Sequence, residues 1–168
     1  MTLAEAAAKA DELARSGAAA ERELAALRQE WGDELESAAR SPDYRQRAVA
    51  FRAIGQFRFR QKLELLRRGL EDESPAVRGS ALVSVQQLSQ AHPSVVNSIR
   101  PLLHTMANGD GNGAVRRLAI LCLRNGSPQR ETIVILNGLA DDDDEDAELR
   151  RTARAVATEL RKRAGPRG

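Results

Sequence analysis

Four stretches of this 168-residue sequence superimpose without gaps, and their shared pattern constrains the fold more than any other feature. Each stretch opens on a lead residue and an arginine, with an alanine four positions after the lead and an apolar residue eight positions after it. The leads fall at positions 46, 77, 115 and 149. Positions 0, +4 and +8 share one face of an α-helix, so each stretch predicts a helix with an apolar stripe. The four sets are Gln46, Arg47, Ala50 and Ile54; Val77, Arg78, Ala81 and Val85; Val115, Arg116, Ala119 and Leu123; and Leu149, Arg150, Ala153 and Ala157.

A repeat of this length is typical of stacked helix pairs. One such pair cannot bury its own apolar face, so stability comes from its neighbours. The alanine at +4 lets adjacent helices approach closely. We predict that the arginine beside the stripe pairs with an acidic or carbonyl group of the adjacent repeat.

Capping signals indicate many short helices. Thr2 and Glu5 have the spacing of a capping box, and Ser-Pro pairs at 41–42, 74–75 and 127–128 place serine at a cap and proline at the first helical position. Glycine, asparagine and aspartate clusters separate the helical stretches. The predicted helices span 3–15, 18–39, 42–54, 58–70, 75–90, 94–107, 114–124, 128–139 and 147–163.

Composition agrees with an all-α chain. Apolar residues make up 42% of the sequence but aromatics only 3%, so Ala, Leu, Val and Ile must build the core. A single cysteine excludes an internal disulfide. No secretory signal or membrane-spanning stretch is recognisable, which favours a cytoplasmic protein, and the richness in Ala, Arg, Gly and Asp favours a bacterial source.

The segment DYRQRAVAFRAIG at 43–55 is close to the pattern D-x-x-V-R-x-x-A, with Gln46 in place of the valine. In this, the chain resembles the HEAT-like repeat proteins, particularly their short bacterial form, over about residues 41–163. The resemblance implies an all-α, right-handed α-solenoid of about four helix pairs at 41–164, which would bind another macromolecule along its concave face. It is nearly uninformative about activity.

The first 40 residues do not carry the repeat. Their apolar stripe of Leu24, Leu27, Trp31 and Leu35 predicts an N-terminal helical cap over 1–40 that closes the first repeat. A dimerising coiled coil is the alternative, although the stripe covers only about two heptads. The tail, 165–168, is expected to fray.

Residue types that carry catalysis or bind metals are sparse. His92 and His104 belong to no metal-binding motif, and His104 is expected to be solvated or to lie at the rim of a site. Cys122 lies in an apolar run and is expected in the core. We therefore predict no catalytic, metal or cofactor site, no enzyme activity and no small-molecule substrate, although an enzyme of unrecognised type stays open.

Two loops contain residue types that could bind an ion. The glycine-rich loop at 109–113 lacks the Lys-Ser/Thr of a P-loop and the ligand set of an EF-hand. The acidic run at 141–146 is expected to be a solvated loop whose charge suits the N-terminus of the last helix. Binding of Ca²⁺ or of a basic partner to this run is the alternative.

Charge is segregated along the chain despite a formal net charge of +2. Basic clusters at 58–68 and 150–167 flank the acidic run in sequence. The leading hypothesis is a scaffold or adaptor that grips another protein on its second helices, and the alternative is phosphate-backbone binding to nucleic acid by the basic clusters. Arginines on a solvated face without a partner are the third possibility. Candidate partner-binding residues are Arg58, Lys62, Arg67, Arg68, Asn97, Arg100, His104, Arg130, Asn137, Arg150, Arg151 and Arg154.

Overall fold

The computed structural model describes residues 1–167, and within that range the chain is all-α with no strand. Each of the nine predicted helices has a counterpart in these residues, which confirms the fold class, but the helix predicted at 58–70 begins only at Leu63. A 3-10 turn at Gly165–Arg167 follows the last helix, while Gly168 of the expected frayed tail lies outside the described residues. The helices are α1 Leu3–Arg15, α2 Glu21–Ala39, α3 Tyr44–Gln56, α4 Leu63–Leu70, α5 Pro75–Ser89, α6 Ser94–Gly109, α7 Gly113–Leu123, α8 Arg130–Asp141 and α9 Ala147–Ala164.

The capping box at the start of α1 is confirmed: the Glu5 N–H donates to Thr2 Oγ1 and the Thr2 N–H donates to the Glu5 carboxylate. Ser74 also caps α5 as predicted, accepting from the Val77 N–H. The prediction that Ser41-Pro42 starts a helix is wrong by two residues. Asp43 caps α3 instead, and Ser41 Oγ accepts from the Asp43 N–H in the turn before it.

Ser127-Pro128 does not start a helix either, since α8 begins at Arg130. The reason lies in α6. The Asn97 side chain forms two hydrogen bonds with Ser127: it accepts from the Ser127 N–H at 2.9 Å and donates to the Ser127 Oγ at 3.0 Å. A serine held in this way is not free to cap the following helix.

The repeat pattern marks the buried faces, as predicted. All four +4 alanines and all four +8 residues are fully buried, and so are the leads Val77, Val115 and Leu149. Gln46, the polar lead, is exposed and accepts a hydrogen bond from Ser41 Oγ. The single polar lead, Gln46, is therefore also the single lead that is exposed.

By contacts the chain forms two compact units, residues 1–88 and residues from 89 onward. In the first unit α1 packs on α2 and α3, and α5 lies against α3. The stripe predicted in α2 is buried, and Trp31 and Leu35 belong to the core. A boundary at residue 40 between cap and repeats stays a prediction.

The close approach of α5 to α3 depends on Gly55. The Ser84 hydroxyl of α5 accepts from the Gly55 N–H at 2.8 Å and donates to the Phe51 carbonyl of the same helix. A methyl group at Gly55 would come within 2.8 Å of the Ser84 Cα. The buried serine is thus satisfied by backbone groups of α3, and only glycine leaves room for it.

The repeated arginines bind acids and carbonyls, although the acceptors of Arg78 lie in the loop just before its own helix and not in an adjacent repeat. Arg47 forms a two-point ion pair with Asp72, which lies just before α5. Burial opposes the charged Asp72 carboxylate, but the Arg47 and Ser74 hydrogen bonds together hold its pKa below its usual value. Arg78 donates to the Asp72 and Glu73 carbonyls.

In the second unit α6 packs on α7, α8 packs on α9, and α7 lies beside α9. Its repeated arginines follow the same rule: Arg116 makes a two-point pair with Glu145 at 2.7 and 2.8 Å, and Arg150 donates to the Ala140 carbonyl. The hydrogen bonds from Arg116 lower the pKa of Glu145. Cys122 is fully buried, as expected.

The acidic run supports the start of α9. Asp146 caps this helix through the Glu148 and Leu149 N–H groups, which confirms that acids here serve the N-terminus of the last helix. Asp141 and Asp143 lie 3.4 and 3.3 Å from arginines of α9. No helix in the described part of the chain is long and apolar enough to cross a membrane.

Candidate functional site

An open groove of about 680 Å³ lies between α2 and α4 in the first unit. Polar and apolar side chains line it in similar measure. Its floor includes Phe59 and Leu65, and its walls carry charged and amide groups. The lining residues are Ala25, Arg28, Gln29, Glu36, Arg40, Phe59, Gln61, Lys62, Glu64, Leu65 and Arg68.

The turn between α3 and α4 positions the aromatic part of this floor. Arg58 adopts a left-handed backbone conformation with φ of 58°, which reverses the chain so that Phe57 and Phe59 pack with ring centroids 5.4 Å apart. The Arg58 guanidinium donates to the buried Asp11 carboxylate of α1 at 2.9 Å and to the Gly55 carbonyl. This predicted site residue is therefore engaged within the protein.

Lys62 is also engaged. Its ammonium group lies 2.6 Å from Glu36 of α2 and 5.0 Å from the Phe59 ring centroid. The Lys62 hydrogen bond lowers the pKa of Glu36, which stays charged in the groove wall. Lys62 thus joins α2 to α4 and does not project as a free cation.

Arg67 and Arg68 are exposed on α4, in contrast to Arg58 and Lys62. Across the groove, Arg40 follows the C-terminus of α2 and is exposed as well. In the part of the chain that the structure describes, neither Arg40 nor Arg68 has an acidic partner within 4.0 Å. Both side chains also line a second groove of about 490 Å³, with Leu65 as the third shared residue.

Two of the predicted site residues, Arg100 and His104, lie inside the second unit. They are only 4% and 8% exposed. The expectation that His104 is solvated is wrong, because its Nε2 lies 2.8 Å from Thr132 Oγ1 of α8. Arg100 donates to the same oxygen at 3.1 Å and to the Asn97 side chain. The apolar pattern of α6 predicts only which face of that helix is buried. Arg100 and His104 are polar residues outside that pattern, and they are buried because α8 packs over them.

Burial lowers the pKa values of Arg100 and His104. For His104 the neighbouring charge of Arg100 acts in the same direction, while Glu131 opposes it. The cluster is thus a buried hydrogen-bonding contact between α6 and α8 and offers little surface to a partner. Asn97 is exposed, but its side-chain amide is hydrogen-bonded to Ser127.

The remaining predicted site residues differ in how exposed they are and in whether they form ion pairs. Arg130 is exposed on α8 and Asn137 is half-buried. On α9, Arg150 pairs with Asp143 and Arg154 donates to the Ala140 carbonyl at 2.8 Å. Arg151 is exposed. Two arginines of the basic cluster predicted on α9, Arg150 and Arg154, therefore pair with the acidic run.

Sequence reasoning missed the wall of the groove that α2 contributes. Arg28, Gln29 and Arg40 line it, but this region was assigned a capping role only. Arg28 donates to the Phe57 carbonyl at 2.6 Å, which ties α2 to the turn beneath the groove. The sequence shows that α2 carries polar residues beside its apolar stripe. It does not show which of these polar residues face a neighbouring helix.

The described residues contain no group of three or more His, Cys, Asp or Glu side chains that could hold a metal ion. The groove contains carboxylates, guanidinium groups and amides, which can form charge-assisted hydrogen bonds to a bound chain.

Comparison with known proteins agrees with this geometry. Residues 32–108 match the family model described as HEAT repeats, a range that runs from the groove wall in α2 through most of α6. No curated protein matches the sequence.

Proposed function

We propose that this chain, a HEAT-like repeat protein, is a non-enzymatic scaffold that binds a protein partner in the groove between α2 and α4. The observation that carries the proposal is the groove itself. Its apolar floor and hydrogen-bonding walls are the usual make-up of a protein interface. HEAT repeats commonly serve as protein-interaction scaffolds, which supports the same role.

Nucleic-acid binding by the basic clusters is less well supported. Three residues that would contribute to a phosphate track, Arg58, Lys62 and Arg100, are paired or buried within the protein. Glu36 and Glu64 would also repel phosphates along the groove. A protein chain tolerates this mixture of charges, because it can present both signs.

The test is photo-crosslinking from the full chain in the cells that make it. A benzophenone amino acid is placed at Gln29 or Gln61, both in the groove, and in a control at Tyr44, which is exposed on α3 outside it. We expect the two groove positions to crosslink the same protein and Tyr44 not to. That protein, once purified, should bind the unmodified chain and lose affinity for a Leu65→Glu variant of unchanged helicity.

Two results would overturn the proposal. Products that nuclease treatment removes would indicate that the groove binds nucleic acid instead. Identical products from Tyr44 and the groove positions would mean that the groove has no special role in binding.

A further inference from the structure

The two grooves of the first unit meet at a pair of arginines. Arg40 and Arg68 line both, and Leu65 lies between the two cavities as their shared apolar residue. One arginine belongs to the end of α2 and the other to the last turn of α4. The two arginines thus come from different helices and line the same part of the surface, where the two grooves meet.

The lining of the groove between α2 and α4 carries four cationic and two anionic side chains, so positive charge is in excess around this pair. Glu36 is bound by Lys62, and Asp72 is bound by Arg47. Arg40 reaches only the Glu36 carbonyl, at 3.5 Å. A cation at a helix C-terminus gains a few tenths of a kcal/mol from the helix dipole, but that interaction leaves the donors of its guanidinium group available.

The groove is long enough for a short peptide. Its lining residues on α2 run from Ala25 to Arg40, a rise of about 22 Å along a helix. An extended chain covers that length with about seven residues. Phe59 and Leu65 supply apolar contacts along it, and the Gln29 and Gln61 amides can bind a peptide backbone.

We infer that the partner segment is an acidic peptide whose carboxylates bind Arg40 and Arg68 while an apolar side chain rests on Leu65. This inference rests on the proposed function and names the class of partner for the same groove. A guanidinium group binds a carboxylate through two parallel N–H donors, so a pair lining the same part of the surface selects for acids at one point of the peptide. Glu64 lines the same wall one helical turn before Arg68, so the acids of the peptide must bind on the side of the arginines away from it.

The experiment uses the full chain and a phage-displayed library of random eight-residue peptides. Selection is run on the wild type, on Arg40→Gln/Arg68→Gln and on the control Arg22→Gln/Arg52→Gln. The control removes the same charge from exposed arginines of α2 and α3 outside both grooves. Asp and Glu frequencies of the selected peptides are compared with those of the input library.

We expect peptides selected on the wild type and the control to carry at least twice the input frequency of Asp and Glu, and those selected on Arg40→Gln/Arg68→Gln to show no such enrichment. A selected peptide should bind the wild type at least tenfold more tightly than its Asn/Gln counterpart in fluorescence anisotropy. Tenfold corresponds to about 1.4 kcal/mol, within the range for hydrogen bonds to a charged group.

Selected peptides without acid enrichment would overturn this inference and leave the proposed function standing. Equal loss of enrichment in both double variants would also overturn it, since general charge attraction would then explain the selection. If the library yields no binding peptide on any of the three proteins, the inference fails, and crosslinking from Gln61 decides separately whether the groove binds a folded domain.

Discussion

At the scale of single residues, the cluster of His104, Arg100 and Thr132 places charge-bearing groups where the repeat pattern predicts a solvated surface. Thr132 Oγ1 is the meeting point of both side chains. Because Arg100 already donates to this oxygen, a protonated imidazole would add a second cationic donor beside it. The folded protein therefore favours neutral His104, in agreement with its lowered pKa.

This cluster predicts acid sensitivity below neutral pH. An unfolded chain takes up the His104 proton near pH 6.5, whereas the folded protein resists it to lower pH. The free energy of unfolding should then fall as pH drops from 7 to 5, by about 1.4 kcal/mol for each unit between the unfolded and folded pKa values. Urea titrations at pH 7.0 and 5.5 measure the change.

The matching control is His104→Gln, which cannot titrate. Its stability should change less between the two pH values than that of the wild type. Equal changes in both proteins would assign the acid sensitivity to groups other than His104.

At the scale of elements, the closest helix packing lies where glycine replaces a side chain. Gly55 of α3 should not tolerate Ala, because the added methyl meets the Ser84 backbone of α5. We expect Gly55→Ala to lower the free energy of unfolding by about 1–3 kcal/mol. In contrast, Gly138→Ala in α8 meets no atom within 4 Å and should raise it by about 0.5–1 kcal/mol through helix propensity.

Both effects can be measured by urea denaturation, with helicity at 222 nm as the readout. Opposite signs are the expected outcome, and a stabilising Gly55→Ala would contradict the packing described for α3 and α5.

Within the acidic run at 141–146, we expect Glu145 and Asp144 to contribute differently to stability. Glu145→Gln removes a partly buried partner of Arg116 and should cost about 1–3 kcal/mol of stability. Asp144→Asn, in the same run but exposed, should change stability by less than about 0.5 kcal/mol. Equal effects in thermal melts would indicate that the run acts only through its total charge.

The repeat pattern predicted the helices and their buried faces because both depend on neighbours within about one turn. Val77, Ala81 and Val85 could be assigned to the core from their spacing alone. The groove could not be predicted in this way. Arg40 and Arg68 lie on different helices, which the turn at Arg58 and the ion pair between Lys62 and Glu36 bring together. Likewise, the sequence predicts that the charged Arg100 is exposed, but packing of α8 buries it.

At the scale of the whole molecule, Asp11 joins distant parts of the first unit. It accepts from Arg58 after α3 and from the Gln87 side chain of α5 at 2.8 Å. Asp11→Asn leaves these donors without a charged acceptor and should lower the free energy of unfolding by about 1–3 kcal/mol. Asp33→Asn, an exposed acid of α2, serves as the control in urea titrations and should have little effect.

The hydrogen bond from Gln87 to Asp11 spans 76 residues of chain. Synthesis at 5–20 residues per second means that α1 leaves the ribosome about 4–15 s before α5 can bind it. The buried face of α1, which packs on α2 and α3, consists chiefly of Ala6, Ala7 and Ala10 and offers other nascent chains little apolar area to adhere to. We therefore expect α1 to be a poor site of adhesion between nascent chains before α5 is made.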